Sequence, residues 1–171
     1  MNRCLPLFLL MVFPVSAHAL WDWLSPEQYV QQSTLIAILH VGPIHKAWTP
    51  ENILVESATA TVEKVVYYRF TVEEKLPGKI IVYNVFPNAA VMFGNALPTT
   101  DGVIELQEGR MFAMLKERGM NKFMPYDGLS LVPLDSNKIP WPTKNGEMTQ
   151  LPVEEVIEDL EKIIHATKPK Q

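Results

Sequence analysis

The sequence predicts a mostly β domain, a small antiparallel barrel with a short helix at its N-terminal end and an amphipathic helix at its C-terminal end. Roughly five to seven runs of strand length follow one another at hairpin spacing, bounded by Gly, Pro, Asn or Asp. A helix-start signal precedes the first run, and an apolar stripe of helical period closes the chain. Antiparallel strands at this spacing are typical of small barrels, which remove exposed sheet edges.

The first 19 residues have the pattern of a secretory signal peptide. Arg3 supplies a positive charge, an apolar run extends from Leu5 to Val15, and Ala17-His18-Ala19 has the small-x-small form of a cleavage site. The run is shorter than the roughly 20 apolar residues of a membrane-spanning helix. We therefore expect cleavage after Ala19 and one mature domain, residues 20–171, that lies in the periplasm or outside the cell and has no transmembrane segment.

Composition narrows the function classes. The single cysteine, Cys4, lies in the predicted signal peptide, so the mature chain would have no disulfide, thiolate metal site or cysteine nucleophile. The full chain has 15 basic and 19 acidic side chains, and loss of Arg3 leaves 14 against 19, a formal charge of −5. No Lys/Arg cluster occurs, which argues against nucleic acid and anionic membranes as partners.

The N-terminal elements follow from local signals. Ser25, Pro26 and Gln28 form a capping-box pattern that predicts a short helix from Pro26 to about Gln32. The apolar run from Thr34 to Gly42 predicts a strand buried on both faces, or covered on one face by a helix.

The next segment predicts a loop and then two or three strands. Pro43 and Pro50 bracket the loop, which carries His45 and Trp48, and a mixed run at 53–65 reads as a strand. From Val66 onward polar and apolar residues alternate, with Tyr67, Arg69, Thr71 and Glu73 on the wet face. A turn at 76–78 then predicts a hairpin between this strand and the run at 79–87.

The C-terminal half predicts a β-meander, a strap and a helix. The meander comprises the runs at 110–116, 121–126 and 129–134. A proline-rich strap packs through Trp141. The closing helix carries its apolar stripe on six residues, Val153, Val156, Ile157, Leu160, Ile163 and Ile164.

Four of these segments together carry a resemblance. "LSPEQYVQQSTLIAILHVG", "YYRFTVEEKLPG", "LQEGRMFAMLK" and the late "IPWP" with its helix resemble secreted bacterial proteins of the netrin-module and metalloprotease-inhibitor (TIMP-like) type, over roughly Ser25 to Ile164. The resemblance implies an OB-like barrel. Inhibitors of that type begin with a cysteine that chelates the protease metal, whereas this mature chain would begin near Leu20 with no cysteine. The resemblance therefore implies the fold and does not extend to metalloprotease inhibition.

The chemistry-bearing residues are few. His40 and His45 could present two imidazoles at a strand end, and a zinc site would need a third ligand such as Glu51 or Glu56. The alternative interpretation is a partly buried His40 bonded to backbone and a loop His45. The sequence has no nucleophile elbow, phosphate loop, dinucleotide fingerprint or calcium loop. We therefore predict no catalytic residues and no cofactor, and keep the His40/His45 metal centre as the alternative.

Three features are candidates for binding. A connecting segment carries Val91, Met92 and Phe93, which would either contact a partner or plug the barrel mouth. Near the mature N-terminus, Trp21 and Trp23 would contact a partner or clamp the C-terminal helix. On the alternating strand, Tyr67 and Arg69 would form a ligand surface or simply a solvated strand face.

The sequence thus predicts an exported, non-enzymatic protein of the bacterial envelope that binds another protein. Inhibitor and immunity-type roles fall within this class. Two alternatives stay open: a metal-dependent hydrolase or zinc-binding protein centred on His40 and His45, and a structural accessory of an envelope assembly. The sequence makes no prediction of oligomeric state.

Overall fold

The computed structural model describes residues 24–51, 53–69, 76–86, 106–119, 121–125, 130–143 and 147–167. The predicted signal peptide, Trp21, Trp23, Thr71, Glu73 and the segment with Val91, Met92 and Phe93 lie outside the described residues. The elements are α1 (Pro26–Gln32), β1 (Leu35–Trp48), β2 (Leu54–Tyr68), β3 (Lys79–Phe86), β4 (Gly109–Glu117), β5 (Lys122–Met124), β6 (Leu131–Pro133), β7 (Lys138–Pro142), β8 (Met148–Pro152) and α2 (Val153–Thr167).

Six of the strands form one ring-like sheet. The hydrogen-bonded order is β1-β2-β3-β5-β4-β6, and an additional β1–β4 pairing brings the order back to β1. All pairs are antiparallel except β3–β5. The ring is not a complete barrel, because the three-residue β5 closes it through only two residue pairs to each neighbour. The predicted fold class, mostly β with one helix at each end, is confirmed.

The core has two parts, one on each side of β1. Leu35, Ala37 and Leu39 belong to a cluster inside the ring, whereas Ile36 and Ile38 belong to a cluster under the helices and the strap. We call these the interior cluster and the helix-covered cluster. The sequence prediction of a strand buried on both faces, with a helix over one of them, is confirmed.

Both helices form as their local signals predict. Ser25 Oγ accepts from the Gln28 N–H (3.3 Å), and Gln28 Oε1 accepts from the Ser25 N–H (2.7 Å), which completes the capping box of α1. Five residues of the α2 stripe are buried against the helix-covered cluster. Trp141 on the strap joins the same cluster, and β7 and β8 pair as a separate two-stranded sheet. No helix among the described residues is long and apolar enough to cross a membrane.

The predicted loop between Pro43 and Pro50 is wrong, because β1 runs through Pro43 to Trp48. Val41 pairs with Ala60 and Ile44 pairs with Ala58, so Gly42 and Pro43 together lie opposite Thr59. This β-bulge leaves an unpaired position at which proline needs no N–H. A Cβ on Gly42 would lie 3.1 Å from the Thr59 carbonyl oxygen, so the close approach of the strands favours glycine there.

The predicted hairpin is wrong in its partner. β2 is one strand of 15 residues, and β3 pairs with its first half, from Leu54 to Thr61. Among the described strands, the second half of β2 pairs with β1 alone. The predicted meander is also rearranged, because β5 and β6 both pair with β4 and flank it. A strand lies within each of these runs, although β2 ends at Tyr68, short of the predicted Glu73. The pairing of the strands depends on contacts far apart in the chain.

A second bulge changes the predicted wet face. Ile36 pairs with Tyr67 and Ala37 pairs with Val65, so Val66 is the extra residue. As a result Val66 and Tyr67 both pack at the edge of the helix-covered cluster instead of pointing to opposite sides. Tyr67 is half-buried there, and Tyr68 packs against the interior cluster.

Candidate functional site

The outer surface of β1, β2 and β3 is partly uncovered. The helices and the strap cover the N-terminal half of β1 and the C-terminal half of β2. Further along the same strands, Ala58, Ala60 and Val82 face the interior cluster. Because side chains alternate along a strand, the residues between them, such as Thr59 and Ile81, point outward. Both are exposed, Ile81 to 39% of its surface.

Strand register arranges these outward residues in rows across three strands. His45 lies opposite Ser57, and Ser57 lies opposite Tyr83. Paired side chains at such positions are about 4.5–5.5 Å apart at Cβ, so each row is a continuous strip. We call the surface the β1–β2–β3 face, and its members are His45, Ala47, Val55, Ser57, Thr59, Ile81, Tyr83 and Val85.

The β1–β2–β3 face has the composition of an interface centre. Its members are exposed or half-buried, and no Lys, Arg, Asp or Glu is among them, while two exposed lysines border it: Lys79 in the next outward row and Lys122 in register with Ile81. Depletion of charge together with aromatic and aliphatic side chains distinguishes the core of protein interfaces from the rest of a protein surface. Most outward strand positions that only meet water are polar or charged, so this face is suited to contact.

Trp48 is the last residue of β1 and is 64% exposed. Because Ala47 is a member of the face, alternation along β1 directs the Trp48 side chain to the opposite side of the sheet, at the open end of the β1–β2 hairpin. Two hydrogen bonds stabilise the turn that follows Trp48. The Thr49 N–H donates to the Ile53 carbonyl (2.9 Å), and the Ile53 N–H donates to Thr49 Oγ1 (3.3 Å). Trp48 directly precedes the connection between β1 and β2. An exposed tryptophan is also a favoured interface anchor. Sequence reasoning placed Trp48 in a loop and did not select it.

A buried ion pair supports the sheet behind the face. Glu56 is 1% exposed, and its Oε1 lies 2.6 Å from Lys46 Nζ while its Oε2 accepts from the Leu106 N–H (3.0 Å). Asn84, in register opposite Glu56 on β3, is buried as well. These contacts connect β1, β2 and the chain entering β4, so they hold the strands that carry the face. Glu56, which the sequence offers as a third zinc ligand, has both of its carboxylate oxygens in contact with Lys46 and Leu106 instead.

The two candidate histidines are separated along the sheet. Their partners on β2, Thr61 and Ser57, are four residues apart, which is about 13 Å at 3.3 Å per residue. Zinc requires each ligand nitrogen about 2 Å from the metal, and strand side chains stand roughly perpendicular to the sheet. Among the described residues no three His, Cys, Asp or Glu side chains form a group that could hold a metal ion.

His40 is exposed and is not the partly buried histidine that the alternative interpretation expects. Its Nδ1 lies 4.0 Å from Glu63 Oε1, and Glu63 Oε2 accepts from Arg110 Nε (2.8 Å). His40 and Arg110 are paired on β1 and β4, so Glu63 spans two neighbouring strands. His45 is exposed on the β1–β2–β3 face.

Tyr67 and Arg69 lie together, as the sequence predicts, and both connect β2 to α1. Arg69 Nη2 donates to the Gln31 carbonyl (2.9 Å), and Arg69 Nε donates to the Tyr67 hydroxyl (3.2 Å). The Arg69 N–H also donates to the Thr34 carbonyl (2.8 Å). The contact to Gln31 gives a hydrogen-bond donor to a carbonyl in the last turn of α1, where the helix itself supplies none. A partner contact at Tyr67 and Arg69 stays a prediction.

Comparison with known proteins adds no relative. No protein-family model matches the chain, and no curated protein is significantly similar to it in sequence. The remaining candidates, Trp21, Trp23, Val91, Met92 and Phe93, lie outside the described residues. Among the described residues, the geometry therefore favours the β1–β2–β3 face as the candidate site, with exposed Trp48 on the other side of the same hairpin end as a second contact.

Proposed function

We propose that this protein is an exported, non-enzymatic binding protein of the bacterial envelope that binds another protein through the β1–β2–β3 face and Trp48. The observation that carries the proposal is an open three-strand surface whose members carry no charge, with a largely exposed tryptophan on the other side of the same hairpin end. Inhibitor and immunity-type roles fall within it. Export rests on the N-terminal sequence pattern, with cleavage after Ala19.

The shape of the face favours a macromolecule over a small ligand. Small molecules bind in concave sites that enclose most of their surface, whereas this face is an open side of a sheet. Three strands about 4.8 Å apart and rows extending over four residues of β2 give a strip of roughly 10 by 13 Å between Cα atoms. A standard protein interface covers about 800 Å² per partner, so the face would form the centre of such an interface.

The resemblance to netrin-module and TIMP-like proteins enters the proposal at the level of the fold. The ring of strands, which returns to β1 through β5 and β4, supports a resemblance in fold. The lack of an N-terminal cysteine in the predicted mature chain makes a different binding surface necessary, and the β1–β2–β3 face supplies one.

Capture of the partner tests the proposal. Mature protein, residues 20–171, is immobilised and exposed to the envelope fraction of its own host, and the retained proteins are identified by mass spectrometry. Two face variants test the site: Ile81→Asp alters the face itself, and Trp48→Ala removes the exposed tryptophan at the hairpin end. Val65→Ala is the matched control, because Val65 is an apolar residue of β2 that is 46% exposed and lies outside the face. We expect one dominant protein, retained by the wild type and the control and lost with the face variants.

Other outcomes would redirect the proposal. Equal retention by Trp48→Ala and Ile81→Asp would leave a binding protein whose site lies elsewhere. Recovery of many proteins of one large assembly would support the structural accessory. Failure to retain any protein, with stoichiometric zinc in the same sample, would contradict the proposal and favour the metal-dependent alternative.

A further inference from the structure

A groove lies between α1, the β7–β8 strap and α2, away from the β1–β2–β3 face. It has a volume of about 1010 Å³. Its apolar residues include Leu24, Trp141, Leu151 and Ile163, of which all but Trp141 are half-buried at the edge of the helix-covered cluster. The groove and the face share no residue, so a ligand of one need not depend on the other.

The edge of this groove is acidic. Glu27 on α1 and Glu155, Glu158 and Asp159 on α2 line it, and Lys162 is the one cation among its lining residues in the described part of the chain. Asp159 accepts from Trp141 Nε1 (3.2 Å), which fixes the ring of the strap tryptophan. Glu155 and Glu158 are exposed and make no hydrogen bond or ion pair to any described residue. Residues three apart on a helix are about 5–6 Å apart, so these two carboxylates form one negative edge.

Helix electrostatics account for only part of this charge. Acidic residues in the first turn of α2, Glu154 and Glu155, complement the positive end of the helix dipole. Glu154 additionally accepts from Asn137 Nδ2 (3.2 Å). Glu158 lies beyond the first turn, where the dipole no longer favours a carboxylate, and it faces the groove instead of a described partner.

We propose that this groove binds a short extended segment of another protein in which apolar side chains alternate with lysines or arginines. The apolar side chains would cover Leu24, Leu151 and Ile163, and the cations would pair with Glu155 and Glu158. From Glu155 to Ala166 the groove wall on α2 measures about 17 Å at 1.5 Å per residue, which accommodates roughly five extended residues. Charge complementarity and the apolar floor together select this chemistry.

Fluorescence anisotropy with three synthetic peptides tests the proposal. The probe is a labelled six-residue peptide that alternates lysine with leucine, and the comparison peptides alternate glutamate with leucine and lysine with serine. We expect saturable binding of the first alone. The double variant Glu155→Gln/Glu158→Gln should weaken it about 2- to 30-fold, as expected for two exposed ion pairs. The matched control, Glu51→Gln/Glu161→Gln, removes the same charge from exposed residues outside the groove and should bind like the wild type.

Several results would overturn the proposal. These are a lack of saturable binding, equal binding of the lysine–serine peptide, or equal weakening in the control variant. A dimer that dissociates in the Glu155→Gln/Glu158→Gln variant, seen by sedimentation velocity, would assign the groove to a second copy of the chain. Stronger competition by a peptide of residues 20–24 would assign it to the chain's own N-terminal segment. Thermal unfolding of each variant checks that the fold is retained, since all four substituted carboxylates are exposed.

Discussion

Replacing either residue of the Lys46–Glu56 ion pair should destabilise the protein, and we expect replacement of Lys46 to cost more than replacement of Glu56. Lys46→Met leaves the buried Glu56 carboxylate with the hydrogen bond from the Leu106 N–H. Removing one partner of a buried pair costs about 3–5 kcal/mol, and the retained hydrogen bond places this case near the lower limit, about 3 kcal/mol. Glu56→Met instead leaves a lysine that is 54% exposed and can turn to water, so its cost is the unsatisfied Leu106 N–H, about 1–3 kcal/mol.

The double variant Lys46→Met/Glu56→Met should therefore be no less stable than Glu56→Met alone. The coupling energy from the double-mutant cycle would then be about 3 kcal/mol, since the penalty of the stranded carboxylate disappears. Urea unfolding of the four proteins gives these free energies, provided that the slope with urea concentration is unchanged.

The Arg110–Glu63 pair is the matched control for this cycle. Its nitrogen and oxygen are 2.8 Å apart, a similar separation, but the side chains are 51% and 34% exposed. Exposed pairs contribute about 0.2–1 kcal/mol, so Arg110→Met/Glu63→Met should show a coupling energy in that range. If the Lys46–Glu56 coupling falls within the range of the control, the reasoning from burial is refuted.

Two further predictions concern backbone geometry and the Arg69 contacts. Gly42→Ala should cost about 1 kcal/mol, because the new Cβ meets a backbone oxygen at 3.1 Å, and a melting temperature unchanged or raised would show that the bulge can widen. Arg69→Ala should lower the free energy of unfolding by about 1 kcal/mol through loss of the Gln31 contact, or about 2–4 °C in melting temperature for a domain of this size. Partner capture by the same variant tests the predicted contact at Arg69, and unchanged capture would limit Arg69 to this structural role. Loss of capture without loss of stability would instead support Arg69 as a binding residue.

Local patterns predicted the elements well because their causes are local. The capping box of α1 needs only Ser25 and Gln28, and the α2 stripe needs only the helical period. The unbroken apolar run of β1 indicated burial on both faces, since each face meets its own cluster. Such features are properties of a few neighbouring residues and can be read directly from the sequence.

Pairing and register were not predictable in this way. Pro43 resembles a strand end, yet a bulge opposite Thr59 accommodates it. The alternation from Val66 onward assigned Tyr67 to water, but an extra residue at Val66 turns Tyr67 toward the helix-covered cluster. A bulge depends on the opposite strand, which lies 16 residues away in sequence for Pro43 and Thr59 and 30 residues away for Val66 and Ile36. A single inserted residue reverses every later assignment to a face.

The candidate site depends on the same non-local register. Ser57 and Tyr83 form one row with His45 only because two separate pairings align them. No local pattern marks these three residues. Trp48 could have been selected from the sequence, because a tryptophan next to a Thr-Pro turn has little chance of being covered by its neighbours.

The length of the β1–β2 hairpin connects stability to the proposed function. One half of each strand lies under the helices and the strap, while the other half extends beyond them and leaves its outer side open. An uncovered sheet of this kind would ordinarily be mobile, but Glu56 fixes β1 and the chain entering β4 from the interior side. A surface held in one conformation loses less conformational entropy on binding. The Lys46→Met substitution should therefore weaken partner capture as well as stability, although neither Lys46 nor Glu56 belongs to the face.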